Sequence, residues 1–103
     1  MQRRNYKRIP SDIKVKFSCD NLDYCGTVNN LSENGMYIST YDMCFPFDTR
    51  FDVVLPLNEI IISVPVKVSR ITKTNGSYDG IAVEILEAPG KYLEYINNLK
   101  SSL

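Results

Sequence analysis

Between Ile13 and Cys19 the chain alternates without a break. Ile13, Val15, Phe17 and Cys19 are apolar, while Lys14, Lys16 and Ser18 are polar. A period of two sets these groups on opposite faces of an extended segment, the pattern of an antiparallel strand with one buried face. The same period returns in Phe51, Val53, Leu55 and Leu57, in Ile62, Val64, Val66 and Val68, and in Ile81, Val83 and Ile85. Tyr24–Val28 and Met36–Thr40 read as two further strands, and the predicted fifth and sixth run over Ile60–Thr72 and Gly80–Leu86. Pro65 falls on the opposite parity of its strand and predicts an edge or a bulge there.

Turn signals separate these runs. Asp20–Asp23, Tyr41–Arg50 and Asn58-Glu59 read as turns or loops, Thr74–Ser77 is a strong hairpin signal through Asn75-Gly76, and Asn34-Gly35 reads as a second Asn-Gly turn. Beyond Pro89-Gly90 the period changes: Tyr92, Ile96 and Leu99 recur at helical spacing, joined by Leu93 and Tyr95. Short strands at intervals of about ten residues, closed by one helix, predict an all-β domain with a terminal helix, a small six-stranded antiparallel β-barrel. At 103 residues the chain is expected to be a single domain. Its expected parts are a flexible basic arm over residues 1–10, the barrel over 11–88 and a C-terminal α-helix over 90–103.

Composition narrows the chemistry. Twelve Lys and Arg balance twelve Asp and Glu, but Arg3, Arg4, Lys7 and Arg8 stand together with no acid among them, so a basic arm precedes a mildly acidic body. There is no histidine, the carboxylates are scattered through turns, and no nucleophile–base constellation can be assembled, so the chain reads as a non-enzyme. Cys19, Cys25 and Cys44 form no CxxC pair, Asp20 and Asp23 lack the rest of a calcium loop, and no metal site or cofactor is expected. Cys19 closes an alternating apolar set and is expected to be buried. No apolar run is long enough to span a bilayer and no signal-peptide pattern opens the chain; a cytoplasmic protein without membrane insertion is expected, in which the sequons at Asn30 and Asn75 carry no meaning.

Two features remain. In Arg4-Asn5-Tyr6-Lys7-Arg8 two arginines stand four apart before Pro10, and a guanidinium can grip a phosphate with two N–H groups, pair with the O6/N7 edge of guanine or stack on a base. Asn30-Leu31-Ser32-Glu33-Asn34-Gly35 offers an amide, a hydroxyl and a glycine within a tight connection between strands. An RxxxR pair followed by (D/N)xSxxG resembles the signature of PilZ domains, bacterial receptors for the second messenger cyclic di-GMP. The resemblance covers essentially the whole chain, and Tyr78–Leu86 looks like the family's last strand.

This resemblance implies that Arg4 and Arg8 strap the ligand onto the outside of the barrel, that Asn30 reads a guanine edge, that Ser32 donates to a base or phosphate oxygen, and that Gly35 permits a close turn. In PilZ domains an arginine in the place of Arg3 tends to accompany a stacked, self-intercalated ligand dimer, so two cyclic di-GMP molecules per chain are expected. The signal would pass by conformational change to a protein partner in trans. A PilZ-like adaptor that works by protein contacts alone is the alternative. A small RNA-binding barrel fits less well, because the aromatic residues form no stacking row among basic ones and the acidic body disfavours long nucleic acid.

Overall fold

The computed structural model describes residues 9–19, 22–40, 48–57 and 60–102. Six strands and one helix follow in order: β1 (Ile9–Cys19), β2 (Leu22–Leu31), β3 (Gly35–Ser39), β4 (Arg50–Leu57), β5 (Ile60–Thr74), β6 (Ser77–Ile85) and α1 (Gly90–Ser102). All pairings are antiparallel, and the sheet closes as β1-β2-β3-β6-β5-β4. Closure is made where Lys16 and Phe17 of β1 meet Val54 and Val53 of β4. Among the described residues the closing seam consists of these two pairs alone.

The alternation read from the sequence becomes inside and outside. Val15 and Phe17 of β1, Phe51, Val53, Leu55 and Leu57 of β4, Ile62, Val64, Val66 and Val68 of β5, and Ile81 and Val83 of β6 all point into one buried cluster. Phe17 stacks on Phe51 with ring centroids 4.9 Å apart and on Tyr24 at 5.7 Å. Tyr92 and Ile96, one helical turn apart on α1, are fully buried in the same cluster.

Strands β2 and β6 start earlier than the sequence reading placed them, at Leu22 and Ser77, and three further details differ. First, β1 begins at Ile9 rather than after Pro10. Ile9 is buried and lies opposite Leu31, and Pro10 lies opposite Asn30, because an apolar side chain at the arm's base has core to enter. Second, Pro65 sits in a closed barrel and not at an edge. It pairs with Asp52 of β4 and lies one residue before the register with β6 begins at Val66; its carbonyl accepts the Leu86 N–H at 2.9 Å, so the bond that its missing N–H forgoes falls at the very end of that ladder. Third, β2 runs on to Leu31, through asparagines that read as the start of a loop. Cys25 is an exposed free thiol. The expected burial of Cys19 and the loop position of Cys44 lie outside the described side chains.

Candidate functional site

Val28 and Leu31 are both fully buried although they stand three apart on one strand. A regular strand would point one of them outward. The contradiction is resolved by a bulge: β2 pairs Val28 with Ile38 and then Asn30 with Tyr37, so one extra residue is taken up between them. On the other side of β2 the register with β1 also slips, between Pro10 and Ile13. Asn29 and Asn30 are therefore held side by side between two inward anchors, Asn29 exposed and Asn30 half-buried. The Asn29 carboxamide oxygen accepts the hydroxyl of Ser39.

The connection that follows is held mostly from inside. The Ser32 N–H donates to the Gly35 carbonyl at 2.9 Å. The Ser32 hydroxyl, buried with its residue, lies 3.4 Å from both the Gly35 carbonyl and the Asn34 N–H, so it bridges the loop internally through two long contacts. The Ser32 carbonyl accepts the Tyr92 hydroxyl at 2.7 Å, and the Asn34 carbonyl accepts the Ile85 N–H at 3.0 Å. Glu33 meets Lys100 of α1 at 2.6 Å, and its other carboxylate oxygen is buried without a hydrogen-bond partner among the described residues. Helix and loop are thus fastened at two points.

Gly35 is not the turn glycine that the dipeptide suggested. Neither it nor Asn34 has a positive φ, and Gly35 already belongs to β3, opposite Glu84. Its side is closed by β6: a Cβ built there would stand 2.9 Å from the Val83 carbonyl oxygen. Glycine is needed for close approach of two backbones and not for a left-handed conformation.

Asn30, Ser32 and Gly35 are therefore brought together on one connection. Arg3, Arg4 and Arg8 lie outside the described residues, but the first described residue, Ile9, pairs beside this connection at Leu31. Two grooves of the described surface, about 740 and 850 Å³, lie elsewhere and include none of the three residues; the first is lined by Lys14, Lys16, Cys25, Thr27, Val54 and Ile61 among others. Among the described residues no cluster of three His, Cys, Asp or Glu could hold a metal ion, and no helix is long and apolar enough to cross a membrane.

The outer face beside Asn30 carries groups that motif reading passed over. Tyr37 extends across β6 and its hydroxyl hydrogen-bonds the Thr72 hydroxyl at 2.6 Å. Thr72 in turn donates to Asp79 at 2.7 Å, and Thr74 donates to the other Asp79 oxygen at 2.5 Å. These two hydroxyls, Thr72 first, hold the Asp79 carboxyl below its ordinary value, against a smaller opposing effect of desolvation. The sequence carried one usable signal for the bulge, the three-residue spacing of Val28 and Leu31. Nothing in it announced the partners of Tyr37 or Tyr92.

A family model for the PilZ domain matches residues 2–100. The chain belongs to the PilZ domain family. No curated protein sequence matches it. Among solved structures it is similar to Bacillus subtilis MotI/DgrA, an inhibitor of motility, at 18% identity and a TM-score of 0.82, over 99% of this chain and 52% of that one. It is also similar to the PilZ domain of Escherichia coli YcgR with c-di-GMP (16% identity, TM-score 0.76, 99% of this chain and 92% of that one). A third similar structure is the K. pneumonia MrkH–c-di-GMP complex (18% identity, TM-score 0.73, 96% and 51%). At such identities the likeness is one of fold, and the PilZ chain spans about half the length of MotI and MrkH.

Proposed function

We propose that this PilZ domain is a receptor for cyclic di-GMP, with Arg3, Arg4 and Arg8 as a cationic strap and the Asn30–Gly35 connection as its fixed counterpart. The observation that carries the reading is the pairing of Ile9 with Leu31 within a match to the PilZ family over residues 2–100. It tethers the RxxxR segment at the NxSxxG loop, and Arg4 is joined to Ile9 by a chain that spans at most ~18 Å when extended. The solved YcgR and MrkH structures with c-di-GMP support the choice of ligand.

The chemistry is complementary. Asn30 is neutral, so it offers an amide N–H to guanine O6 or N7 without repelling a phosphate. Glu33, the one acid in the connection, is engaged by Lys100 and so meets an incoming dianion with its charge largely offset. Ser32 serves the loop's shape, since its hydroxyl, N–H and carbonyl are all engaged within the fold. The ties from Ser32 to Tyr92 and from Glu33 to Lys100 give ligand contact a mechanical route to α1, and from there to a protein partner.

Isothermal titration with cyclic di-GMP tests this. Micromolar or tighter binding is expected, lost in Arg4→Ala or Arg8→Ala and weakened by salt. Asn30→Ala should lower affinity alone, whereas Ser32→Ala should lower affinity and stability together. A stoichiometry of two, falling to one in Arg3→Ala, is expected for a ligand dimer; a value of one in the parent would remove the second molecule. Absence of binding at millimolar ligand would leave an adaptor that works by protein contacts.

A further inference from the structure

The register lays four residues in a row across four strands on the outer face of the barrel. Asn30 of β2 lies opposite Tyr37 of β3, Tyr37 opposite Ala82 of β6, and Ala82 opposite Arg70 of β5. Neighbouring strands stand about 4.8 Å apart, so the row continues the Asn30 position by roughly three strand widths.

Its members have the shapes of a seat for a purine. Tyr37 is half-buried, and the hydroxyl end of its ring lies over Gly80, where a Cβ would come within 2.5 Å of the ring carbon Cζ. The ring is therefore laid along the sheet instead of standing up from it. Thr72, braced by Asp79, grips the hydroxyl and fixes this pose. Ala82 lies between Tyr37 and Arg70 in the row, and as an alanine it lets little side chain rise from the strand at that point. Beyond it stands Arg70, exposed, with no ion pair to any described residue; the nearby Lys67, by contrast, lies within 4.0 Å of carboxylates of both Asp48 and Glu84. A pre-fixed aromatic face and an unengaged guanidinium, on either side of that alanine, suit a flat base that carries a phosphate.

We infer that Tyr37 and Arg70 form an additional nucleobase seat next to the Asn30 clamp. Tyr37 stacks on a guanine of the bound cyclic di-GMP, and Arg70 engages the phosphate or the guanine edge beyond it. The seat rests on the receptor reading above and extends it to Arg70 of β5, a strand that neither motif touches. A purely structural Tyr37 would staple β3 to β5 through its hydroxyl, and the ring face would contribute nothing to a ligand.

The chain contains no tryptophan, so Tyr37→Trp supplies a single reporter at the seat. Its emission should be quenched as cyclic di-GMP saturates, and unchanged emission at saturation would overturn the stacking. Titration of Tyr37→Leu should show binding weaker by about ten- to a hundredfold, the loss of one base–aromatic stack. Tyr37→Phe keeps the ring and should stay within about threefold of the parent, whereas a staple would lose equally in both variants. Arg70→Ala, at an exposed site that leaves folding untouched, should weaken binding about tenfold and make it less sensitive to salt. Should Tyr37→Leu and Arg70→Ala bind like the parent while Arg4→Ala does not, the seat is wrong and the receptor reading stands. A parent that binds no cyclic di-GMP overturns both.

Discussion

The dipeptide Asn-Gly occurs twice in this chain and does two different things. At Asn75-Gly76 both residues have positive φ, 52° and 86°, as the turn of a two-residue hairpin between Thr74 and Ser77 requires. A Cβ on Gly76 would meet nothing within 4 Å. At Asn34-Gly35 neither φ is positive, Gly35 is buried, and what surrounds it is the backbone of β6. One glycine answers to its own backbone and the other to a strand some fifty positions away in sequence. The local turn needs only two residues. The second connection is shaped by β6 and α1, and it is there that the candidate site lies.

The sharpest way to break this contrast is to give each glycine a methyl group. In Gly35→Ala the new Cβ would press on the Val83 carbonyl oxygen at 2.9 Å, where the obstacle is backbone and not the end of a mobile side chain. Relief requires β3 and β6 to part beside Glu84. A loss of about 1–3 kcal/mol in urea unfolding is expected, together with weaker cyclic di-GMP binding, since the strand that moves carries the motif. Unchanged stability and affinity would mean that the approach of the strands is looser than described.

Removal of one oxygen comes next. Tyr92→Phe keeps the buried ring and deletes the donor to the Ser32 carbonyl, leaving that carbonyl with one fewer partner in a buried place. A loss of about 1–2 kcal/mol follows from the unmet acceptor, and hydrogen exchange should quicken at Ser32–Gly35 while Asn75-Gly76 is unaffected. Equal protection in both connections would show the tie to be idle.

These ties explain which parts of the molecule were legible beforehand. The barrel was, because Val15 and Phe17, or Ile62 through Val68, announce their faces by a period that neighbours in sequence share. The Asn75-Gly76 hairpin was legible for the same reason: its cause is local. Asn29 and Asn30 read as loop because the bulge that keeps them in β2 serves to bury both Val28 and Leu31, a condition set by the finished core. Gly35 was found as a motif residue but with the wrong reason, since the reason is supplied by Val83. Tyr92 was placed on the terminal helix by its spacing with Ile96 and Leu99, yet its hydroxyl's partner lies 60 residues away and leaves no trace in any local pattern.

Gly76→Ala is the counterpart of the first variant and should do less. The substitution meets open space, so its cost is confined to an alanine held at positive φ, about 1 kcal/mol. Ligand affinity should be that of the parent. Thermal unfolding and calorimetric titration on the same sample separate the two glycines: Gly35→Ala moves both readouts and Gly76→Ala only the first. A loss of affinity in Gly76→Ala would join the hairpin to the site and end the contrast.

The smallest effect is the hairpin's response to acid. Thr72 and Thr74 donate to Asp79 from the strand across the turn, and their bonds favour its charged form, which lowers its folded-state pKa. For a group whose pKa falls on folding, the added stability is fully present above the unfolded value, near 3.9 for an aspartate, and is lost as the pH drops through the lowered folded value. The hairpin should therefore loosen in acid, with exchange at Lys73–Asp79 quickening as the pH falls below the ordinary aspartate range. Asp79→Asn should remove that dependence, and Thr72→Val should reduce it most among single hydroxyl deletions, because the Thr72 bond is the larger cause. Thr72→Val also frees the Tyr37 hydroxyl, so the same variant reports whether the hairpin's polar network steadies the outer face beside Asn30. An acid response that survives Asp79→Asn undiminished would place its origin in another carboxylate.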